Sequence, residues 1–518
     1  MPSVTSPSGH FPTLRSCTKL VDGQALYDVK FYPYPTTDDE PIYAVTGSSH
    51  LFVCRPKLDA DPPFEVLRWF QLDGNEHSFN SLAWARDPVS GEPLICVAGE
   101  KPKQIQIFNV ETGKHVRSLV GHGAAINDLA ISPISSSLLA SASADYTIRL
   151  WNLEPAFKDQ PCVAIFAGEG HRQHVLTAQF HPNGKWIVTA GLDTAIAVWA
   201  VPSNDALAQH HARKHGSHPA PLTVYYPHFH STEVHANYID TAVFYGDLIL
   251  SRSAKHQSEN PARTTTKVKT VPNEILLWKI DGFSSDDDPP TEPPVPTPGA
   301  WTRSSFPHDS RTRGFQRLMT FDMPNTSRFY LRFGLLHQLG VRPILAMGNE
   351  ESRFLFWDLQ KLEEGYDPNE ESGANLKAPG VKAPRQRKKG KAAEARQQVN
   401  ESNLGRLGEL RRGESVGGGA GSDVGSGRTP DPSLTTPTTS ASNVPPERKY
   451  DLGDSFMPLK PHHSVLASTT LSPKKHFAMA QIAWSPDGGR WMVGVGDYGM
   501  MCVFYRSVEG EAGGARSL

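Results

Sequence analysis

The apolar residues of this chain fall into short β-type stretches that recur at a regular spacing. One segment, GHGAAINDLAISPISSSLLASASADYTIRLWNL, begins at Gly121 and reaches Trp151; a second, GHRQHVLTAQFHPNGKWIVTAGLDTAIAVWAV, begins at Gly170 and reaches Trp199. Both contain a Gly-His pair, two β-rich stretches and an Asp six positions before the Trp. A repeat of roughly 40 to 50 residues is typical of the blades of a β-propeller.

Five weaker copies of the same pattern bring the predicted number of blades to seven, within the usual range of about four to eight. The copy that starts at His235 is about 15 residues longer than the clear repeats, which predicts an insertion near 255–270. Because one blade cannot bury its faces alone, the sequence predicts an all-β, seven-bladed WD-repeat propeller that closes as one domain. The weaker copies run from Tyr27 to Cys54, Phe79 to Val110, His235 to Trp278, Phe329 to Trp357 and Phe477 to Tyr505.

A His, a Ser or Thr, an Asp and a Trp occupy equivalent positions in the two clear repeats. A His–Ser–Asp combination could be a catalytic triad, but a nucleophile occurs once, whereas this set recurs and ends on an indole. We therefore predict hydrogen-bonded chains that join the strands of one blade, and no enzyme activity. The predicted sets are His122, Ser141 or Ser143, Asp145 and Trp151 in one blade, and His171, Thr189, Asp193 and Trp199 in the next.

The segments outside the repeats predict the domain organisation. Residues 363–471 pass from basic through Gly-rich to Ser/Thr/Pro-rich sequence, which cannot bury enough apolar area to offset the entropy of ordering, so a disordered insertion is predicted. Loop closure costs rise only logarithmically with length, and the ring can therefore close across it. The prediction is a flexible N-terminus (1–20), blades one to six (21–362, with insertions at about 203–230, 255–270 and 281–310), the 363–471 insertion, the last blade (472–507) and a flexible C-terminus (508–518).

Charge and cysteine content limit the classes of function. The formal net charge of the 518 residues is −2, so the surface as a whole does not attract nucleic acid. The five cysteines are scattered without a CxxC pair, which predicts no disulfide framework and a reducing intracellular compartment. The N-terminus lacks a signal-peptide pattern and no apolar run approaches the roughly 20 residues that cross a bilayer, so no membrane partner is predicted.

Three further motifs could carry ligand chemistry. GVGDYG at 494–499 fits GxGxxG but lies between two predicted strands, which favours a hairpin turn over a phosphate site. The basic run Lys382–Arg396 favours a nuclear localisation signal, and a weak DNA or nucleosome contact or a solubilising stretch stays open. A histidine cluster lacks a zinc spacing, so a solvated loop and no metal or cofactor are predicted; it consists of His210, His211, His215 and His218.

Aromatic residues lie at the predicted starts of several inner strands. Inner strands line the channel of a propeller and their ends open onto one face, so aromatic faces gathered there could bind a quaternary ammonium group by cation–π attraction. Position alone favours the alternative that these are ordinary core aromatics of the blades. The residues are Tyr27, Phe79, Phe329 and Tyr330.

Six motifs together resemble the EED/extra sex combs family of WD-repeat proteins. The resemblance implies a non-catalytic, nuclear core subunit of Polycomb repressive complex 2, which methylates histone H3 on the lysine at position 27. It also implies an aromatic cage for the trimethylated lysine on one face and a helix of the methyltransferase subunit on the opposite face. The motifs are GHGAAINDL (121–129), EGHR followed by VL (169–176), HANYID (235–240), GDLILSRS (246–253), LAMGN (345–349) and FWDL (356–359).

The resemblance also assigns cage residues one by one. It places cage aromatics at Tyr27, Phe329 and Tyr330, with Arg332 as a supporting polar residue. The position of the family's fourth cage aromatic is occupied by Asn80 in this chain, and the side chain of neighbouring Phe79 could turn into the cage instead. A basic position of the family, before the first strand of the last blade, is occupied by Ala480.

The implied partners are an Enhancer-of-zeste-type SET-domain methyltransferase subunit, a Suppressor-of-zeste-type subunit and the histone H3 tail. The alternative, suggested by the two departures from the family pattern, is an assembly scaffold of the same complex that no longer binds the methyl mark.

Overall fold

Seven β-sheets form the blades of one ring. The computed structural model describes residues 10–34, 40–74, 76–213, 220–254, 273–309, 311–363, 454–467 and 476–507. In these residues the strands form seven sheets of four or five strands. The innermost strand of each blade comes first in its repeat, and the first and last inner strands contact each other, which closes the ring. The predicted all-β, seven-bladed propeller is confirmed.

Four blades contain four strands each. Blade 1 consists of β2 (Asp28–Phe31), β3 (Tyr43–Gly47), β4 (His50–Pro56) and β5 (Phe64–Gln71), and blade 2 of β6 (Ser78–Arg86), β7 (Pro93–Lys101), β8 (Gln104–Asn109) and β9 (His115–Val120). Blade 6 consists of β24 (Gly334–Leu336), β25 (Ile344–Gly348), β26 (Arg353–Asp358) and β28 (His463–Leu466). Blade 7 consists of β29 (Met479–Trp484), β30 (Trp491–Gly496), β31 (Met500–Tyr505) and β1 (Thr13–Lys19).

The other three blades have a fifth, outermost strand. Blade 3 consists of β10 (Ile126–Ser132), β11 (Ser135–Ser143), β12 (Ile148–Asn152), β13 (Cys162–Phe166) and β17 (Leu222–Val224). Blade 4 consists of β14 (Val175–Phe180), β15 (Trp186–Gly191), β16 (Ile196–Ala200), β18 (Phe229–Ser231) and β22 (Thr302–Ser304). Blade 5 consists of β19 (Ile239–Tyr245), β20 (Leu248–Ser253), β21 (Glu274–Ile280), β23 (Phe315–Asp322) and β27 (Pro458–Leu459).

The N-terminus differs from its prediction. The sequence predicts a flexible end over residues 1–20, but residues 13–19 form β1 and pair antiparallel with β31 of the last blade. The ring closes in this way because the last repeat supplies only three strands, and its outer edge would otherwise expose unpaired backbone groups. Phe11, immediately before β1, is buried against Phe356 and His463 of blade 6.

Parts of the predicted insertions also contribute to blades. β17 lies in the predicted loop 203–230, β22 in the loop 281–310, and β27 and β28 in the 363–471 segment, where each adds to the outer part of a blade. The alternating pattern did not reveal these strands because they are only two to four residues long. The rest of 363–471, apart from residues 363 and 454–467, lies outside the described residues, as do 255–270 and 508–518.

The helices among the described residues are few and short. Helix α1 (Asn204–Ala212) begins after Ser203, whose Oγ accepts a hydrogen bond from the Ala206 N–H at 3.2 Å, and α2 (Leu359–Glu363) directly follows β26. In the part of the chain that the structure describes, single 3₁₀ turns span Pro155–Phe157 and Asp497–Gly499. Of the helices in the described ranges, none has the length and apolar character needed to span a membrane.

The hydrophobic core lies between neighbouring blades. Trp199 of blade 4, for example, clusters with Ile148, Leu150 and Phe166 of blade 3, and the Phe166 and Trp199 ring centroids are 5.5 Å apart. Each blade therefore buries its faces only against its neighbours, as expected for repeats that cannot fold singly.

Candidate functional site

The predicted polar sets of blades 3 and 4 are hydrogen-bonded. His122 Nε2 lies 2.7 Å from Ser141 Oγ, which also accepts a hydrogen bond from Trp151 Nε1 at 2.8 Å, and His122 Nδ1 lies 2.9 Å from Asp145. Ser141, not Ser143, is the central hydroxyl. In blade 4, Thr189 Oγ1 lies 2.8 Å from His171 Nε2 and accepts from Trp199 Nε1 at 2.9 Å, while His171 Nδ1 lies 3.2 Å from Asp193.

A third set, which sequence analysis did not identify, occurs in blade 5. His235 Nε2 lies 2.8 Å from Ser251 Oγ, and Trp278 Nε1 donates to the same oxygen at 2.9 Å. Glu274 takes the place of the Asp, with its carboxylate 3.7 Å from His235 Nδ1. Glu274 lies after the predicted insertion and four positions before Trp278, whereas the Asp of each clear repeat lies six positions before its Trp. The Asp-to-Trp spacing therefore did not reveal Glu274. The recurrence in three blades gives these residues a structural role.

His230 provides a test of how burial of histidines affects stability. It lies in β18 with Nε2 3.0 Å from the Gly170 carbonyl, and burial, with the nearby Arg303 and His171 charges, lowers its pKa to about 3. The unfolded state, with a pKa of about 6.5, binds more protons between these values, so stability is present above pH 6.5 and falls as the pH drops toward 3. We expect wild type to lose about 2 kcal/mol more than His230→Gln between pH 7 and pH 5, measured by urea unfolding. Equal losses in the two proteins would contradict this.

The other motifs have simple structural positions. GVGDYG forms the end of β30 and the turn to β31, so the predicted hairpin turn is confirmed. His210 and His211 lie on α1 rather than in a loop, with the His211 ring 4.7 Å from that of Phe157, whereas His215, His218 and the run Lys382–Arg396 lie outside the described residues. Within the described ranges, no cluster of three or more His, Cys, Asp or Glu residues could bind a metal.

A β-bulge recurs near the start of the inner strands. We call the side of the ring at which the inner strands begin the upper face, and the opposite side the lower face. In five inner strands the pairing register shifts by one residue on this side, which leaves one residue per strand outside the ladder and frees its carbonyl group. These bulge residues are Asn80, Asn127, Leu176, Asp240 and Ala480.

Tyr330 and Arg332 use the carbonyl groups that the bulges free. Tyr330 donates its hydroxyl hydrogen to the Asn127 carbonyl at 2.8 Å, and Arg332 Nη2 donates to the Leu176 carbonyl at 2.8 Å. The Arg332 N–H donates to the Ala480 carbonyl, and its guanidinium carbon lies 4.7 Å from the Tyr330 ring centroid. Burial raises the pKa of Tyr330, so its phenol remains a neutral donor. Blades 3 and 4 therefore fix both side chains, and blade 7 fixes the Arg332 backbone.

Phe329 and Tyr330 form one corner with a third ring that sequence analysis missed. The Phe329 and Tyr330 centroids are 4.8 Å apart with planes at 61°, and the Tyr238 centroid is 5.4 Å from that of Phe329. We call Tyr238, Phe329 and Tyr330 the aromatic cluster. Phe329 is 52% exposed, whereas Tyr238 is buried. Tyr238 immediately precedes its inner strand, as Tyr27 precedes β2, and that shared position was the available signal.

The turn that carries Phe329 precedes its inner strand, β24, instead of belonging to it as predicted. Tyr330 has a φ of 66°, a left-handed conformation that L residues adopt only when surrounding contacts fix it. Glu350 supplies one such contact, because its carboxylate accepts from the Arg328 N–H at 2.7 Å. The Arg328 side chain pairs with Asp497 in the GVGDYG turn, so blade 7 also positions this corner.

The remaining predicted cage positions differ from one another. Tyr27 is 37% exposed at the start of β2, and within the described residues its ring makes no contact with another aromatic ring. Phe79 is fully buried between blades 1 and 2, and its backbone pairs with Ser48, so the expectation that it could turn into the cage is wrong. Asn80 is a bulge residue, and its buried Oδ1 has no hydrogen-bond partner among the described residues. Ala480 lies inside β29 rather than before it.

A buried charge network lies beneath the aromatic cluster. Arg332 Nη1 donates to Asp128 Oδ1 at 2.9 Å, and Lys30 Nζ lies 3.4 Å from Asp28 and 3.8 Å from Asp128. Burial by itself would raise the pKa of the Asp128 carboxyl, but the charges of Arg332 and Lys30 outweigh burial and lower it. Asp128 Oδ2 also accepts from Thr177 Oγ1 at 3.0 Å. The network joins blades 1, 3, 4 and 6 across the channel and neutralises the Arg332 charge.

The lower end of the channel contains a cavity of about 330 Å³. Its walls combine apolar rings with carboxamide groups, and two of its buried polar atoms, Gln481 Oε1 and Trp484 Nε1, have no hydrogen-bond partner within the described residues. The lining includes Phe31, Trp84, Leu129, Gln179, Gln481 and Trp484.

Comparisons with known proteins agree with this architecture. Residues 113–152 and 160–200 match the family described as WD domain, G-beta repeat. The Polycomb protein EED of Chaetomium thermophilum is 39% identical over 349 residues, which are 65% of this chain and 57% of that protein. The match therefore spans less than two thirds of that relative. The Polycomb protein esc of Drosophila melanogaster is 25% identical over 68% of this chain and 73% of its own length.

Chains in solved structures of Polycomb repressive complex 2 are similar to this chain over nearly its full length. A chain in the crystal structure of an active Polycomb repressive complex 2 in the basal state has 31% identity and a TM-score of 0.70, with 97% of this chain and 99% of that chain covered. A chain in the Chaetomium thermophilum complex with histone H3 trimethylated at lysine 27 has 30% identity and a TM-score of 0.69, with 96% and 99% covered. The chain therefore belongs to the EED/extra sex combs family of WD-repeat Polycomb proteins.

Proposed function

We propose that this chain is the WD-repeat subunit of a nuclear Polycomb repressive complex 2 and that it binds trimethylated lysine 27 of histone H3 at the aromatic cluster. The observation that carries the proposal is the exposed Phe329 ring packed at 61° against Tyr330 on the upper face. Two rings at this angle provide adjacent walls of a box. A trimethylammonium group donates no hydrogen bonds, so its recognition depends on such walls and on desolvation.

The surroundings of the cluster support binding of a cation. The Arg332 charge next to Tyr330 would repel a cationic ligand if it were unpaired, but it is bonded to Asp128 at 2.9 Å. The Asp240 carboxylate near the Tyr330 ring is likewise paired, with the buried Arg252, so the buried charges around the ring compensate one another. Tyr27 immediately precedes β2, the inner strand of blade 1, on the same face and supplies a further exposed ring.

The lower face is the proposed site for the methyltransferase partner. Its cavity combines apolar rings with carboxamides, which suits the apolar face of a helix from an Enhancer-of-zeste-type SET-domain subunit. A Suppressor-of-zeste-type subunit is a further proposed partner. The relatives in solved structures belong to Polycomb repressive complex 2, which supports these assignments. A DNA or nucleosome contact through Lys382–Arg396 also remains a proposal.

The cage assignment predicts a specific loss of affinity. We expect Phe329→Ala to weaken binding of a histone H3 peptide trimethylated at lysine 27 by about tenfold, because a cation–π wall that the bound ammonium group desolvates contributes up to about 2 kcal/mol and about 1.4 kcal/mol corresponds to tenfold in affinity. Isothermal titration calorimetry with the methylated and unmethylated peptides measures this. Trp301→Ala is a matched control, because Trp301 is 55% exposed but precedes β22 at the outer edge of blade 4. Equal affinities of wild type and Phe329→Ala would refute the cage.

A scaffold that no longer binds the mark is the second candidate. Asn80 and Ala480 favour it, because an amide and a methyl group stand at the two positions where the family pattern has an aromatic and a basic residue. In that case methylated and unmethylated peptides bind wild type equally weakly in the same titration. Asn80→Tyr then distinguishes a missing wall from a lost site, since a rebuilt wall restores preference for the methylated peptide.

A further inference from the structure

Two cysteines face each other across the seam that closes the ring. Cys17 lies in β1 and Cys502 in β31, and their Cα atoms are direct partners in the antiparallel ladder. Their Sγ atoms are 3.1 Å apart, and all five cysteines of the chain are free thiols. The two residues are 485 positions apart in the sequence, so only ring closure brings them together.

The strand geometry fits a covalent bond between these two residues. Directly opposed residues of antiparallel strands have Cα atoms about 4.5 to 5.5 Å apart, inside the range of about 4.4 to 6.8 Å that disulfides span. A bond of about 2.05 Å requires the two sulfur atoms to approach by about 1 Å, which side-chain rotation supplies. Neither strand has to leave its ladder.

The chemistry of the pair separates it from the other thiols. The Cys502 thiol donates a hydrogen bond to Cys17 Sγ, which lowers the pKa of Cys17 despite burial. Cys17 is also partly exposed, so its thiolate is accessible to a small oxidant. Burial raises the pKa of Cys502 and of the three remaining thiols, to about 12 for Cys54 and Cys96 and to about 11 for Cys162, so Cys17 is the thiol that reacts first. Cys502 differs from those three because its sulfur lies 3.1 Å from Cys17 Sγ, where it can attack an oxidised Cys17 directly.

We propose that Cys17 and Cys502 form a reversible redox site, which a peroxide oxidises to a disulfide that locks β1 onto the last blade. The Cys17 thiolate attacks one oxygen of hydrogen peroxide; the S–O bond forms, the O–O bond breaks, and the released hydroxide takes a proton to become water. The Cys502 sulfur then attacks the Cys17 sulfenic acid; the S–S bond forms, the S–O bond breaks, and the leaving hydroxide takes the Cys502 proton. Two thiols are oxidised and one peroxide is reduced to two waters.

The bond would act on the one seam of the ring that is formed by strands from opposite ends of the chain. Within the described residues, β1 is otherwise joined to blade 7 by backbone pairing and side-chain packing, by the hydrogen bond from Thr13 Oγ1 to the Tyr505 carbonyl and by the Arg15 guanidinium over the Tyr505 ring. A cross-link over a loop of this length removes much of the freedom of the unfolded chain. In a reducing compartment, exchange with cellular thiols returns the pair to the free state seen in the structure.

The site is tested on the full reduced chain, treated with hydrogen peroxide or buffer, alkylated with N-ethylmaleimide and digested with trypsin without reductant. We expect a peptide of residues 16–19 joined to residues 491–506, which separates after treatment with dithiothreitol. We also expect the midpoint of thermal unfolding to rise by about 5 °C on oxidation. Cys17→Ser should abolish both effects.

A double variant, Ser16→Cys with Cys17→Ser, is the matched control. It keeps the number of thiols but moves one of them to the neighbouring position, which pairs with Val503 instead of Cys502. Neither the joined peptide nor the thermal shift should appear in it. The proposal fails if peroxide leaves residues 16–19 alkylated or converts Cys17 to higher oxides without the joined peptide. It also fails if the double variant cross-links as efficiently as wild type.

Discussion

We expect the replacement of Arg332 by methionine to lower the free energy of unfolding by about 3 to 5 kcal/mol. Arg332 is only 4% exposed, and its guanidinium donates to Asp128 and to the Leu176 carbonyl. Methionine fills a similar volume but leaves the fully buried Asp128 carboxylate with Lys30, at 3.8 Å, as its remaining cation. Urea unfolding at pH 7 measures the change.

The double variant Arg332→Met with Asp128→Asn separates loss of charge compensation from loss of packing. An amide at this position keeps an oxygen for the Ala178 N–H, which donates to Asp128 Oδ2 at 3.1 Å, and it carries no charge. We therefore expect the double variant to recover at least half of the loss. A single Arg332→Met variant that loses less than about 1 kcal/mol would show that the pair contributes little.

Removing residues 1–19 should destabilise the propeller by at least about 4 kcal/mol. The truncation deletes β1, exposes the edge of β31, and removes the buried Phe11 ring from its place 5.2 Å from that of His463. It also removes the contact of 2.9 Å between His10 and Asp358. An unpaired outer strand promotes association with other chains, so size-exclusion chromatography should detect oligomers alongside a lower unfolding midpoint.

Removal of residues 1–9 alone is the control for this truncation. It keeps His10, Phe11 and the whole of β1, and the unfolding midpoint should therefore remain within about 2 °C of that of the intact chain. Similar losses in the two truncated proteins would mean that the strand pairing between β1 and β31 is not the source of the stability.

The repeats and their polar sets were predictable because both depend on local sequence. Strand alternation and the spacing from His122 to Asp145 and Trp151 lie within one repeat, and the hydrogen bonds that join them form inside one blade. The set in blade 5 escaped because an insertion separates its members and Glu274 replaces the expected Asp.

The aromatic cluster was predictable only in part. Phe329 and Tyr330 are adjacent in the chain, and the resemblance to the family assigns both to the cage, so the sequence placed them together. Tyr238 reaches them from another blade, and Phe79 is buried instead of facing the channel. A β-bulge moves one residue outside the ladder, and nothing in the alternating pattern marks where it occurs.

The sequence by itself determined the number of blades, their internal hydrogen bonds and the family, because each repeat encodes its own strands. The tertiary structure decided how the ring closes, which short segments become outer strands, and which charges meet in the channel. Arg332 and Asp128 are 204 positions apart, and Cys17 and Cys502 are 485 apart. Such contacts form only when loop closure brings distant strands together, and a periodic pattern carries no information about them.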